Sequence, residues 1–201
     1  MHALVDWVRQ LVSQLGYGEI VLLMAMESSI FPVPSELVMI PAGLLAARGG
    51  LDPVLAVLSG GLGSVLGASA NYAVGRFAGR AFLLRYGRYV LMGPAKYHEA
   101  EALFLRNAAW ATFLGRFIPV IRHLISLPAG VFGMRLPLFL VLTAAGATLW
   151  CAVLVSLGYF LGEPALELVG SFSREASLIA VALLAAFAAW FLLRRRRGEA
   201  A

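Results

Sequence analysis

The chain has 201 residues, 61% of them hydrophobic and only 13% charged, with a mean hydropathy of +0.84 and a formal net charge of +5. A soluble domain carries about 25% charged and about 45–50% apolar residues, so this composition excludes an ordinary soluble fold and any appended soluble catalytic domain. The basic residues cluster beside apolar spans, as orientation signals do in membrane proteins, which argues against a nucleic-acid partner.

Residues 1–15 place Leu4, Val8, Leu11 and Leu15 at helical spacing, opposite Asp6, Arg9 and Gln10. That pattern predicts an amphipathic helix lying at the membrane surface. No basic leader followed by an apolar core and a small-residue cleavage site is present, so no cleaved signal peptide is expected. A spanning helix needs about 20 apolar residues. Three charge-free segments meet this: Pro53–Gly75, Leu136–Gly162 and Ala176–Leu193. Two further apolar stretches are interrupted. Ile20–Ala47 contains Glu27, Glu36, Pro32, Pro34 and Pro41, and Asn107–Met134 contains Arg116, Arg122, Pro119 and Pro128.

These interrupted stretches are copies. FPVPSELVMIPAG (Phe31–Gly43) lies over IPVIRHLISLPAG (Ile118–Gly130) at an offset of 87, and Arg48, Leu51, Tyr72 and Gly75 recur as Arg135, Leu138, Tyr159 and Gly162. Of the 45 positions 31–75, 14 are identical to the residue 87 later, without a gap. Prolines, glycines and tyrosines kept in register indicate a duplication. Arg76, Arg80, Arg85, Arg88 and Lys96 follow the first copy, and Arg194–Arg197 close the chain. Both ends are therefore expected on the cytoplasmic side, with Glu163 and Glu167 outside. The copies then run in opposite directions, as in many secondary transporters.

The expected architecture is one all-α integral membrane domain built as an inverted repeat. Its parts are an amphipathic helix (1–15), repeat one (20–79), a cytoplasmic basic linker (80–100), repeat two (107–162) and a C-terminal transmembrane helix (176–193). Paired prolines at Pro32 and Pro34 remove backbone donors and bias their neighbours away from helix. In lipid such a break survives only where protein or a water-filled cavity supplies partners. A re-entrant hairpin turning near Pro32–Pro34, with Ser35 capping its second half-helix, satisfies this. The second copy would turn near Ile118–Pro119. A kinked single span is the alternative, and the choice decides the side of the N-terminus.

Glu27 and Glu36 lie in the first interrupted stretch, Arg116 and Arg122 in the second, with His123 adjacent. Each unpaired charge near the bilayer centre costs about 2.5–3.5 kcal/mol, so acids of copy one are expected to face bases of copy two. In the bland reading these are buried ion pairs that hold the halves together. However, apolar packing often replaces such pairs without loss. Two arginines able to grip phosphate, beside two glutamates, suit an anionic headgroup better. His123 reads as a proton relay or a packed histidine. Gly63/Gly67 and Gly75/Gly79 read as close-packing pairs, and His98, Glu99 and Glu101 as a solvated helix start. The single Cys151 leaves no disulfide or zinc spacing. No HExxH, GxSxG or nucleotide-binding loop occurs, so no enzyme activity, metal or cofactor is expected and any transport must run on a gradient.

Glu27 with PVPSE (Pro32–Glu36), Tyr72-x-x-Gly75-Arg76-x-x-Gly79, GRFIPVIR (Gly115–Arg122), Ala129-Gly130, Met134 and Phe139 together resemble the DedA family, which shares the VTT domain. The resemblance covers about Gly16–Gly162. It implies phospholipid translocation in a bacterial inner membrane, with undecaprenyl phosphate or phosphatidylethanolamine as cargo and, in some members, dependence on the proton gradient. It maps the family's functional acids onto Glu27 and Glu36 and its paired arginines onto Arg116 and Arg122. Many relatives carry aspartate where this chain has Glu36. The resulting expectation is a flippase-type lipid carrier in which Arg116 and Arg122 bind the lipid phosphate while Glu27 and Glu36 pair with them or couple protons. Its partners would be a membrane lipid and protons, with the oligomeric state, a homo-oligomer included, left open. The alternatives are a proton-coupled carrier of a small soluble solute and a non-transporting membrane scaffold.

Overall fold

The computed structural model describes residues 15–29, 34–79, 94–162 and 164–165. The amphipathic N-terminal helix, Pro32, most of the basic linker and the 176–193 helix with its arginine run lie outside the described residues. Those described are helical, with no strand among them. The first half forms α1 (Tyr17–Glu27), α2 (Glu36–Ala47) and α3 (Pro53–Val74), which continues as a π-helical turn over Gly75–Gly79. The second half forms α4 (Pro94–Gly115), the short α5 (Pro119–Leu124) and α6 (Ser126–Val131), and α7 (Leu136–Leu161).

Two of these helices are long and apolar enough to cross a membrane: Pro53–Gly79 with 27 residues and Leu136–Leu161 with 26. At about 1.5 Å per residue each reaches about 40 Å, more than the hydrocarbon core of about 30 Å. Their side chains are distributed inside out. On α3 the buried stripe is small or polar, with Gly60, Gly63, Ser64, Gly67 and Asn71, while Leu55, Leu58, Leu62 and Leu66 are exposed. The pattern is weaker on α7, which buries Thr143, Gly146 and Ala147 but also Phe139, Leu154 and Val155, and exposes Val141, Leu149, Val153 and Phe160. Helices associating in lipid gain nothing by hiding leucine and approach through small residues instead.

Local sequence sets the helix ends. Asp52 caps α3, its Oδ1 accepting from the backbone N–H groups of Val54 and Leu55 at 2.9 Å each, and Pro53 occupies the first turn, where no donor is missed. The Tyr17 hydroxyl accepts from the Asp52 N–H at 2.8 Å, tying the start of α1 to the start of α3. Ser35 precedes α2 but makes no side-chain cap. Its backbone is helical (φ −58°, ψ −25°) where a capping residue is extended, and its hydroxyl instead accepts the Trp150 indole N–H at 3.3 Å. Gly49 (φ 78°) ends α2 and Gly133 (φ 71°) follows α6, each in the left-handed region that suits glycine. The gap-free register places the partner of Gly49 at Leu136. In the second half the turn therefore comes one helical turn early, and α7 starts correspondingly sooner.

Packing crosses between the halves. α2 lies mainly against α7, α6 against α3 and its π-helical turn, and α3 against α7. Gly63 and Gly67 face the Val21 and Ala25 carbonyls of α1, where a methyl group would overlap backbone. Gly75 meets the Leu127 carbonyl in the same way. Tyr72 spans the halves too, donating from its hydroxyl to the Met134 carbonyl at 2.5 Å and stacking on Phe139.

Candidate functional site

Two interruptions of the helical ladder meet in the interior. In the first half α1 ends at Glu27, and the Ser28 N–H reaches back to the Met24 carbonyl at 3.0 Å. In the second, α4 ends at Gly115, and Arg116, Phe117 and Ile118 make a turn before Pro119 opens α5. Ile118 is extended (φ −105°, ψ 115°), as the residue before proline must be. Pro34 stands just before Ser35 at the opening of α2. Three of the predicted charges are enclosed here: Glu27 is 2% exposed, Arg116 4% and Arg122 7%, with Glu36 at the rim.

Arg122 is the cation that bridges the halves. Its Nη2 lies 2.6 Å from Glu27 Oε1 and 4.0 Å from Glu36 Oε2. The other Glu27 oxygen accepts from the Ser28 hydroxyl at 2.8 Å, and the Asn71 side-chain amide donates to the Ser28 carbonyl at 3.1 Å. His123 Nδ1 lies 3.0 Å from the Glu27 carbonyl. A carbonyl only accepts, so this bond places the proton on Nδ1 and leaves Nε2 to other partners. Trp150 completes this side, with its ring 5.9 Å from the Arg122 guanidinium carbon, close enough for a cation–π attraction.

Arg116 is held differently. Its Nη2 donates to the Ser126 hydroxyl at 3.2 Å and the Thr143 hydroxyl at 3.1 Å, and its stem packs on Gly146. Among the described residues no carboxylate lies within 4 Å of it. The Nε groups of both arginines are buried and lack hydrogen-bond partners among the described residues. Between the arginines is a cavity of about 10 Å³ lined by Glu27, Ser28, Ser64, Trp150 and Cys151, among others. It has room for a single water. Among the described residues no three of His, Cys, Asp and Glu converge as metal ligands would. The arrangement sets two guanidinium groups and the Glu27 carboxylate around a space no larger than one water, with Glu36 as a second, more distant carboxylate for Arg122.

The sequence reading missed Ser28, Ser64, Asn71, Ser126, Thr143 and Trp150. A signal for four of them was present. Ser64 and Asn71 sit inside the charge-free span Pro53–Gly75, and Thr143 and Trp150 inside Leu136–Gly162. Polar groups in a lipid-spanning helix turn inward to find partners.

Comparison with known proteins bears on the same residues. Positions 33–160 match the VTT domain. The chain is 36% identical over 180 residues to a Lactococcus lactis subsp. cremoris protein named alkaline phosphatase-like protein, covering 87% of this chain and 84% of that one. It is 30% identical over 199 residues to undecaprenyl phosphate transporter A of Bacillus subtilis, covering 98% and 97%. To the protein of the same name from Staphylococcus aureus it is 28% identical over 197 residues, covering 94% and 97%. No solved structure matches it.

Proposed function

The chain belongs to the DedA family of VTT-domain membrane proteins, and from that premise we propose that it carries lipid phosphate headgroups across a bacterial inner membrane, driven by the proton gradient. The observation that carries this reading is the enclosed charge cluster in which, among the described residues, Arg122 has carboxylates within 4 Å and Arg116 has only hydroxyl partners. A phosphate-bearing lipid supplies the negative charge that Arg116 lacks, and a guanidinium fork matches phosphate geometry. Relatives named undecaprenyl phosphate transporter A make undecaprenyl phosphate the first candidate cargo, with phosphatidylethanolamine the second.

In the resting state Glu27 and Glu36 neutralise Arg122. Protonation of Glu27 weakens that hold and frees Arg122 to join Arg116 on the phosphate, so proton binding and lipid binding are coupled. His123 holds the Glu27 backbone carbonyl through Nδ1–H, which suits a packed histidine that positions this turn and leaves only Nε2 for any proton relay. Two re-entrant hairpins of opposite orientation give the headgroup a polar path while the tails stay in lipid. The packing supports such an internal two-fold relation. Gly43 meets Val155 and Tyr159, while Gly130 meets Tyr72 and Arg76. Gly43 and Gly130 are 87 apart, as are Tyr72 and Tyr159. Reciprocal contacts of this form are what two copies make across a two-fold axis. The C-terminus then lies in the cytoplasm.

The test is headgroup translocation in proteoliposomes, comparing undecaprenyl phosphate with phosphatidylethanolamine, with and without an imposed pH gradient. The expected result is gradient-dependent movement of one lipid, lost in Arg116→Ala and Arg122→Ala. Unchanged movement in either variant overturns the mechanism, and gradient-independent movement of both lipids makes the protein a scramblase. Release of inorganic phosphate in the same vesicles would favour the phosphatase suggested by the name of the Lactococcus relative. A structural role has its own support in the close Arg122–Glu27 pair. The charge-swapped variant Glu27→Arg with Arg122→Glu separates the two readings: a scaffold tolerates it and a carrier does not.

A further inference from the structure

The small cavity between the arginines has a feature that its size conceals. Ser64 on α3 and Cys151 on α7 both line it, and they are 87 residues apart. Ala147, also in its wall, is 87 residues from Gly60, and a methyl group on Gly60 would touch Cys151 Sγ. One equivalent pair, Ser64 and Cys151, thus shares this wall, which sets the space close to where the two copies meet. If the copies are inverted, the axis that relates them lies in the membrane plane, and a point on it is equally far from both faces. The wall also contains Arg116 and Arg122, each carrying a buried Nε–H without a partner among the described residues. Leaving such donors unsatisfied is costly for neutral groups and more so for charged ones.

We propose that the space between Ser64 and Cys151 is the midpoint seat for one oxygen of the transported phosphate, held by the Nε–H groups of Arg116 and Arg122. This rests on the lipid-carrier reading above and specifies where in the protein the cargo pauses. In the resting state the seat admits one water and no more, because the cavity is about 10 Å³. A phosphate oxygen is of similar size, and the buried Nε–H groups of the two arginines in this wall are the donors available to it. The phosphorus and the remaining oxygens need further room. That room opens when Arg122 leaves Glu27, since both residues form part of the wall. The seat is thus closed to phosphate until the ion pair separates. Ser64 and Cys151 set its width from opposite sides.

Cys151 is the chain's only cysteine, so the native protein carries its own probe. Modification by methyl methanethiosulfonate, read by intact mass, is compared in vesicles containing undecaprenyl phosphate and in vesicles containing undecaprenol, which lacks only the phosphate. Both are run on the unaltered protein and on Glu27→Gln, where the pair is weakened. The phosphate lipid is expected to slow modification by about tenfold at a lipid concentration about ten times its Kd, because a bound phosphate occupies the opened seat beside the thiol. Equal or faster modification overturns the proposal, as does no modification in either protein, because the seat must open. Translocation is measured on the same vesicles. If it is intact while protection is missing, the carrier reading survives and the seat does not; if it is absent, the carrier reading fails. Ser64→Val, which fills the space, is expected to raise KM by about tenfold, a change worth about 1.4 kcal/mol of binding. Ser64→Ala, which leaves the space open, is expected to change KM less. Equal KM values in these two variants also overturn the proposal.

Discussion

Arg122 and Arg116 flank the same break between α4 and α5, yet the protein holds them by opposite means. Arg122 reaches into the first half and meets carboxylates there, Glu27 at 2.6 Å and Glu36 at 4.0 Å. Among the described residues Arg116 hydrogen-bonds within its own half, to the hydroxyls of Ser126 and Thr143. The difference separates two jobs that sequence alone assigns to the pair as a unit. In the carrier mechanism proposed above, the cation neutralised across the halves serves as a lock, and the cation cradled by neutral hydroxyls is the one left to meet the phosphate.

The largest expected effect tests the lock. Arg122→Ala strands the buried Glu27 carboxylate and should cost about 3–5 kcal/mol, read as the shift in unfolding in mixed micelles, along with loss of transport. Arg116→Ala strands no acid and should cost about 1–3 kcal/mol, the range for a lost buried hydrogen bond, while abolishing transport equally. Equal destabilisation by the two would erase the distinction. Thr143→Val keeps the shape of the cradle but removes one hydroxyl from Arg116. It should cost about 0.6–1.7 kcal/mol, as hydrogen bonds between membrane helices do, and weaken apparent lipid affinity more than it weakens folding. The smallest effect is expected for Ser28→Ala, about 0.6 kcal/mol, since Glu27 keeps Arg122. A larger loss from Ser28→Ala than from Thr143→Val would shift the emphasis from the arginine cradle to the glutamate clamp.

Much of this arrangement was legible in the chain. The charge-free runs marked the two long helices, whose observed ends, Pro53–Gly79 and Leu136–Leu161, lie close to those read from apolar length. The encounter of Glu27 with Arg122 followed from the cost of burying either alone. Less legible was the division of labour between the arginines. It depends on Ser126 and Thr143, whose hydroxyls reach Arg116 only after α6 and α7 have packed. The Ser35 cap failed for a related reason. A local rule assigned that hydroxyl to the backbone of α2, but Ser35 has helical backbone angles and its hydroxyl meets Trp150, distant in sequence. The gap-free register also hid the turn at Gly133, because sequence identity does not record where a helix chooses to end.

The pairing of Glu27 with Arg122 also sets a constraint on biosynthesis. His123, the neighbour of Arg122, follows Glu27 by 96 residues. At about 5–20 residues per second, the ribosome makes that second half only some seconds after the first has left it. During that interval Glu27 lacks the partner it meets in the fold, and its share of the insertion penalty is about 2.5–3.5 kcal/mol. The apolar span Pro53–Gly79 is long enough to enter the membrane in the meantime. Closure of the charge cluster, by contrast, waits for the arrival of Arg122.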